Sequence, residues 1–115
     1  MPASRPSNAV LDRTFAALAD PTRRTLLERM GRKPHRAGDL CRGLTISRPA
    51  VSKHLRVLRE AGLVDALPRG REVVYRLAPS AAGIEHARAY LERASAFWDR
   101  ALDAFKAFAE QEDSE

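Results

Sequence analysis

The chain of 115 residues is poor in cysteine and lysine and has no long run of apolar residues. Its single cysteine, Cys41, cannot form an intrachain disulfide or supply a multi-cysteine metal cage. No apolar run approaches the roughly 18 residues that span a bilayer. Because the N-terminus lacks the apolar core of a signal peptide, we expect a cytoplasmic protein with no membrane partner.

The residue sets on which common enzyme sites depend are also missing from the sequence. There is no Ser/His/Asp set, no pair of carboxylates in a plausible cleft and no glycine loop that would cradle a phosphate. We therefore expect no catalytic residues, no cofactor and no enzyme activity.

Positive charge is concentrated in the first two-thirds of the chain. Residues 1–79 carry sixteen Lys and Arg against seven Asp and Glu, whereas residues 80–115 carry four against eight. Seventeen of the twenty cations are arginine. A basic surface indicates nucleic acid or an anionic membrane as the partner, and a guanidinium suits phosphates and guanine edges. A GC-rich genome would also enrich arginine, but it would not segregate the charge.

Apolar residues at helical spacing, together with capping residues, predict four helices in the first half of the chain. The first begins at residue 8, and Asp20 ends it and caps the second. A short third helix is predicted over 37–42. Ser47 caps the fourth helix, which ends before Gly62 in a left-handed stop.

The second half of the chain predicts a hairpin and one long helix. β-branched and aromatic residues predict strands over 63–67 and 73–77, with a turn over 68–71 between them. The long helix opens at Pro79 and is predicted to run to about Glu110.

These elements define a fold class and a domain organisation. The order α-α-α-α-β-β-α places a hairpin directly after a helix-turn-helix, which predicts a mostly helical, dimeric winged helix-turn-helix. The folded domain is predicted over 8–110, with the dimerisation helix at about 80–110. A flexible tail over 1–7 and an acidic tail over 111–115 flank it.

The fourth helix is predicted to read DNA. At 100° per residue, Val51, Leu55 and Leu58 fall on one face with small alanines beside them. The opposite face carries cations and small residues, which are Arg48, Pro49, Ser52, Lys53, Arg56 and Arg59. Small residues near the N-terminus allow entry into a major groove, and the positive end of the helix dipole favours phosphate. The alternative is an ordinary solvated face, which the flanking turn and hairpin disfavour.

Two further DNA candidates are less direct. His54 falls beside the apolar face, which indicates either a half-buried histidine bonded to the backbone or a base or phosphate contact. Arg69 and Arg71 flank a glycine at the predicted hairpin tip. A narrow minor groove attracts arginine, so we interpret this tip as a wing, with a solvated hairpin tip as the alternative.

The last helix carries an apolar pattern that predicts a homodimer. Ile84, Leu91, Trp98 and Phe105 are spaced by seven, and a second series of the same spacing follows three residues on. Leu102 widens the stripe, and Phe15 on the first helix is expected to join it. Packing onto the chain's own first helix explains part of the stripe. A helix of about 30 residues is about 45 Å long, more than this domain can cover, so a second copy is expected.

Three segments of the chain resemble the ArsR family of bacterial winged-helix regulators. They are Phe15–Arg24, Arg48–Val64 and Gly70–Leu77, within a resemblance over about 9–108. The resemblance implies a dimeric repressor that overlaps promoters and leaves DNA when an inducer arrives. The stretch Phe97–Leu102 is similar to a metal-free branch of the family, often encoded beside small ligand-binding proteins of the helix-grip type.

The metal ligands of the family are incomplete in this sequence. Its best-known site has two cysteines on the third helix, but here Cys41 is followed by Gly43 at the second position. One thiolate cannot hold a soft metal tightly, and His86 is the only histidine of the last helix. We expect no metal site. Cys41 is then a small apolar residue, a redox switch or a ligand in a weak site.

The sequence therefore predicts a sequence-specific DNA-binding regulator, a dimeric repressor of a palindromic operator in its own promoter region. Its partners are double-stranded DNA and a second copy, and its location is the cytoplasm with the nucleoid. Two alternatives stay open. One is a protein-interaction module that uses the acidic last helix, and the other is a redox or metal sensor based on Cys41. The operator and any small-molecule or protein inducer are not identified.

Overall fold

A computed structural model of the chain describes residues 6–113, with side chains over 9–112. The elements in chain order are α1 (Pro6–Leu18), α2 (Pro21–Met30), β1 (His35–Arg36), α3 (Ala37–Cys41), α4 (Arg48–Glu60), β2 (Val64–Arg69), β3 (Glu72–Leu77) and α5 (Ala82–Asp113). The predicted fold class is confirmed, because α3, α4 and the β2–β3 hairpin form a winged helix-turn-helix in a mostly helical chain.

The strand β1 was not predicted, and it changes the hairpin into a three-stranded antiparallel sheet of order β1-β3-β2. His35 pairs with Tyr75 on β3, and Arg36 pairs with Val74. Two residues are too few to show the alternation by which a strand is recognised in a sequence. The consequence is functional, since β1 fixes the segment before α3 against the base of the wing.

The hairpin is longer and its turn tighter than predicted. Arg69, which was predicted in the turn over 68–71, ends β2 and pairs with Glu72 at the start of β3. The loop is reduced to Gly70 and Arg71, and Gly70 has a φ of 63°. A two-residue hairpin loop needs such a residue, and glycine adopts a positive φ without steric cost.

The predicted N-terminal caps of α2 and α4 are present. The carboxylate of Asp20 accepts hydrogen bonds from the backbone N–H of Thr22 at 2.8 Å and of Arg23 at 3.1 Å. The hydroxyl of Ser47 accepts one from the N–H of Ala50 at 3.3 Å. Gly62, just after α4, has a φ of 75° and turns the chain into β2. These caps satisfy N–H groups that a helix leaves without internal partners.

The core lies between α2, α3 and α4. Its largest fully buried apolar side chains come from these three helices and are Leu26, Leu40, Val51, Leu55 and Leu58. Burial of each such side chain stabilises the fold by about 1.5–3 kcal/mol. Because three of them lie on α4, the core fixes which face of that helix is turned to solvent.

The long helix α5 packs on α1 through small residues near its start. A Cβ at Gly83 would overlap the hydroxyl oxygen of Thr14, so only glycine allows this approach of the helices. Ala87 is buried in the same contact, and the ring of Tyr90 meets Phe15 edge-on at 5.7 Å between centroids. Farther along α5, Ala94 is half-buried, and residues 95–108 are all exposed.

Beyond residue 95, α5 extends away from the rest of the molecule. The described chain measures 73 × 36 × 25 Å, and its radius of gyration is 19.8 Å. A globular domain of this length would have a radius of gyration of about 13 Å. No helix among the described residues is long and apolar enough to cross a membrane.

Both ends of the described chain are more helical than expected. Pro6 and Ser7, from the tail predicted over 1–7, belong to α1, while residues 1–5 lie outside the described part. At the other end, α5 continues to Asp113, into the acidic tail predicted over 111–115. Residues 114–115 lie outside the described part.

Candidate nucleic-acid interface

The helix α4 separates its residues into a buried and an exposed face. Val51, Leu55 and Leu58 are at most 1% exposed and pack into the core. The cations and small residues of the helix are exposed, and they are Arg48, Pro49, Ser52, Lys53, Arg56 and Arg59. The N-terminus of the helix, with its orphan N–H groups, lies on the same side of the molecule as Arg48 and Ser52.

The wing comes close to the start of α4. Arg69 and Arg71 are both exposed at the hairpin tip. A groove of about 480 Å³ runs between the wing and the α3–α4 unit, and we call it the wing groove. Its lining brings together Arg48 and Ser52 of α4 and Arg71 of the loop. Residues far apart in the chain thus share one basic surface.

The structure adds one cation that sequence reasoning missed. Arg36 of β1 lines the wing groove and forms an ion pair with Glu72, with Nη1 2.8 Å from Oε1. Both side chains are about half exposed, so the pair is hydrated and weak. No sequence signal marked Arg36, because its position depends on β1. Glu72 offsets part of the positive charge where Arg36 and Arg71 meet.

The start of α4 also contacts α3. The guanidinium of Arg48 lies 3.5 Å from the place that a Cβ would occupy at Gly38. The absence of a side chain at Gly38 leaves Arg48 room to lie over α3. Arg48 therefore lies at the meeting point of the two helices of the helix-turn-helix.

A second groove lies toward the C-terminal end of α4, against β2. Arg56 and Arg59 line it together with Glu60 and Asp65. The acidic side chains balance the two arginines, and Asp65 is also paired with Arg76 at 3.4 Å. Net positive charge is therefore stronger toward the wing groove.

His54 lies behind the exposed face and is half-buried. Its Nδ1 is 3.3 Å from Nη1 of Arg23, so its partner is a side chain and not the backbone that the sequence suggested. Arg23 is itself anchored, because its Nε donates to the carbonyl of Ala17 at 2.7 Å and its Nη2 to that of Ala16 at 2.9 Å. Through Arg23, α4 is therefore linked to the C-terminal end of α1.

Asp20 belongs to the same cluster. The backbone N–H of Arg23 bonds its carboxylate and holds the pKa of Asp20 below the ordinary value of 3.8, although partial burial opposes the shift. The N–H of Thr22 and the charges of His54 and Arg23 act in the same direction. The carboxylate is therefore ionised at neutral pH and caps α2 as an anion.

The residues predicted at a dimer interface form an exposed apolar strip on α5. We call it the α5 strip, and it consists of Ile84, Leu91, Phe97, Trp98, Leu102, Phe105 and Phe108. Trp98 is 62% exposed and Phe105 is 69% exposed. Phe15 lies apart from the outer strip, half-buried against Tyr90. Contiguous exposed apolar area of this kind marks an interaction surface.

Among residues 6–113, no three metal-ligating side chains are grouped closely enough to hold an ion. Cys41 is a half-buried free thiol at the end of α3, packed against the edge of the core. Gly43 follows with a φ of 78°. A cysteine at that position would be strained, because L side chains rarely adopt a positive φ.

Comparison with known proteins gives consistent results. Residues 20–66 match a family model described as "Bacterial regulatory protein, arsR family". The HTH-type transcriptional regulator Rv2034 of Mycobacterium tuberculosis is 45% identical over 101 residues, which are 88% of this chain and 90% of that protein. The arsenical resistance operon repressor of Escherichia coli is 43% identical over 68 residues, which are 56% of each protein.

A solved structure covers almost the whole chain. An ArsR-like transcriptional regulator from Rhodococcus sp. RHA1 superposes with a TM-score of 0.74 at 39% sequence identity. The match covers 95% of this chain and 98% of that one.

Proposed function

This chain belongs to the ArsR family of bacterial regulatory proteins, and we propose that it acts as a homodimer on a palindromic operator in its own promoter region. The family predicted from the sequence is confirmed by relatives that span nearly all of the chain. The relatives are transcriptional regulators and repressors, and the chain is a DNA-binding transcriptional regulator of the same kind. The family is one of regulators, not of enzymes. A regulator of this kind acts at the nucleoid, in the cytoplasm.

The observation that carries this proposal is the shared basic surface of α4 and the wing. The exposed face of α4 enters the major groove, where Ser52, Lys53 and Arg56 reach base edges. Arg48 lies at the start of the helix, where backbone N–H groups and the helix dipole favour a phosphate. Arg69 and Arg71 meet the backbone and the minor groove on the wing side.

The α5 strip supports the dimer. A helix of 32 residues is about 48 Å long, and α1 covers only its first part. Pairing two copies around a two-fold axis buries both strips at once. The same axis relates the two α4 helices, so that each reads one half-site of an inverted repeat. A partner of a different kind on this strip would give a monomeric free protein.

Release from DNA does not use a soft metal at the third helix in this proposal. Cys41 is the one thiol of the chain, and the position of the second thiolate is held by Gly43 in a left-handed conformation. The carboxylate and histidine of α5 at Glu85 and His86 have no third ligand grouped with them in the described residues.

The test is selection of operator DNA by the purified protein from fragmented DNA of its own genome. We expect enrichment of few sites, including the region upstream of its own gene, each with inverted half-sites about 10 base pairs apart from centre to centre. Affinity for these sites should fall steeply with salt, because phosphate contacts release counterions. Uniform recovery of all fragments, or binding that ignores salt, would contradict the proposal.

A further inference from the structure

An apolar pocket of about 570 Å³ lies where the wing joins α5, at the end of β3 that is farther from the hairpin tip. We call it the junction pocket. Its walls come from α2, the turn after α4, the end of β3 and the start of α5, and they include Leu27, Leu63, Leu77 and Ile84. This volume lies within the range of small-molecule sites, about 300–1,000 Å³.

The lining has one ionisable group. Glu85 contributes a carboxylate at the rim, Ser80 contributes a hydroxyl, and no Lys, Arg or His lines the pocket. The nearest counter-charge to Glu85 is Arg88, with 4.0 Å between Nη2 and Oε1, and both side chains are well exposed. Such a pair is weak, so the carboxylate can accept a new cation. Residues 80–115 as a whole are also acidic.

The pocket touches each part of the protein that the proposed function uses. Leu77 ends β3, the strand that carries the wing, and Leu63 follows α4. The N–H of Ala78 donates to the carbonyl of Leu63 at 2.9 Å and joins these two segments. Ile84 begins the α5 strip. A molecule in the pocket would therefore contact the bases of α4, the wing and the dimer helix together.

We propose that the junction pocket binds a small molecule with an apolar body and one amine cation, such as an alkyl or aryl amine. The apolar body lies against the leucines and Ile84, and the ammonium faces Glu85. Anions of the same size are disfavoured by the carboxylate and by the lack of a lining cation. Occupancy changes the angle between α4 and the wing and so lowers the affinity for DNA. Only this last effect rests on the proposed function.

Binding is tested first without DNA, on the full chain, with three probes of equal chain length: octylamine, octan-1-ol and octanoate. Methyl NMR shifts of the lining leucines report the site, and titration gives each affinity. We expect octylamine to bind most tightly and octanoate most weakly. Glu85→Gln should weaken octylamine about fivefold, the most that an exposed ion pair contributes, and leave octan-1-ol unchanged.

The matched control is Glu92→Gln, because Glu92 is an exposed carboxylate seven residues along α5 and does not line the pocket. It should leave all three affinities as they are. Ala82→Phe should block the pocket from its α5 wall and abolish the leucine shifts, whereas Ala89→Phe, on the same helix outside the pocket, should not.

The proposal is overturned if no probe changes the methyl NMR shifts of the lining leucines, which is the result expected if a second copy of the chain fills the pocket. It is also overturned if octanoate binds as tightly as octylamine, or if Glu92→Gln weakens octylamine as much as Glu85→Gln. Operator affinity is then measured with octylamine present, and it should fall in the wild type but not in Ala82→Phe. A protein that binds octylamine at this site but binds no DNA would refute the proposed function and not the pocket.

Discussion

Nη1 of Arg23 lies 3.3 Å from Nδ1 of His54, and this contact joins α2 to the middle of α4. The two residues are 31 positions apart in the chain. Arg23 also bonds two carbonyls at the end of α1, so that one guanidinium holds three helices. The orientation of the exposed face of α4 therefore depends on a residue that lies outside that face.

Replacement of Arg23 by alanine should cost about 2–4 kcal/mol in the free energy of unfolding, because several hydrogen bonds to a charged group are lost together. Arg24→Ala is the control, since Arg24 is exposed and its guanidinium donates to a single carbonyl, that of Leu18. Its cost should stay below about 1 kcal/mol. Urea denaturation measures the free energy of unfolding of both variants. Equal losses would show that the contacts of Arg23 with α1 and His54 do not stabilise the fold.

Asp20 should make stability depend on pH in the acid range. Its folded-state pKa is lowered below 3.8, so its carboxylate stabilises the fold above the unfolded pKa, and this contribution is lost as the pH falls through the folded value. Asp20→Asn keeps a good capping group but removes this titration. The stability difference between wild type and variant should be constant at neutral pH and shrink below about pH 4. A difference that grows on acidification would contradict the assigned direction.

The α1–α5 contact should reject any side chain at Gly83. Gly83→Ala places a methyl group on the hydroxyl of Thr14, and such overpacking costs about 1–3 kcal/mol. Thr14→Ala removes the oxygen that is in the way, so the double variant should recover part of this loss. A double-mutant cycle of thermal or urea unfolding measures the coupling. If the losses in unfolding free energy of the two single variants simply add, Gly83 and Thr14 are not coupled and the helices can move apart at this position.

Trp98 should be a main anchor of the homodimer. Trp98→Ala should weaken association by about 3–5 kcal/mol, the cost of truncating a buried large aromatic residue. Arg93→Ala, on the same helix but outside the α5 strip, should leave the association constant unchanged. Sedimentation equilibrium at micromolar concentration checks both variants. A monomeric wild type would end the dimer proposal and the paired half-sites with it.

Features that depend on local chemistry could be predicted from the sequence. Asp20 and Ser47 were recognised as caps because a helix start needs a side-chain acceptor, and Gly62 because a helix end tolerates a left-handed residue. The division of α4 into two faces followed from the period of 3.6 residues alone. The family followed from motif residues on these same elements.

Features that depend on contacts between distant segments could not be predicted. Strand β1 exists only because β3 pairs with it, and the place of Arg36 in the wing groove follows from that pairing. The sequence left His54 between a backbone partner and a DNA contact, because nothing in it places Arg23 beside that ring. The fit of Gly83 on Thr14 likewise depends on how two helices cross.

The central claim is that α4 reads base edges while the wing contributes mainly charge, and affinity for operator and scrambled duplexes across a salt series tests it most directly. Arg56→Ala and Ser52→Ala should weaken operator binding and relax its sequence preference, by about 1–3 kcal/mol for a bidentate arginine–guanine contact. Arg71→Ala should weaken both duplexes by similar factors and flatten the salt slope by about one unit. Arg100→Ala, an exposed cation on α5, should change neither. If Arg56→Ala lowered both affinities equally while Arg71→Ala lost only specificity, α4 would not lie in the major groove.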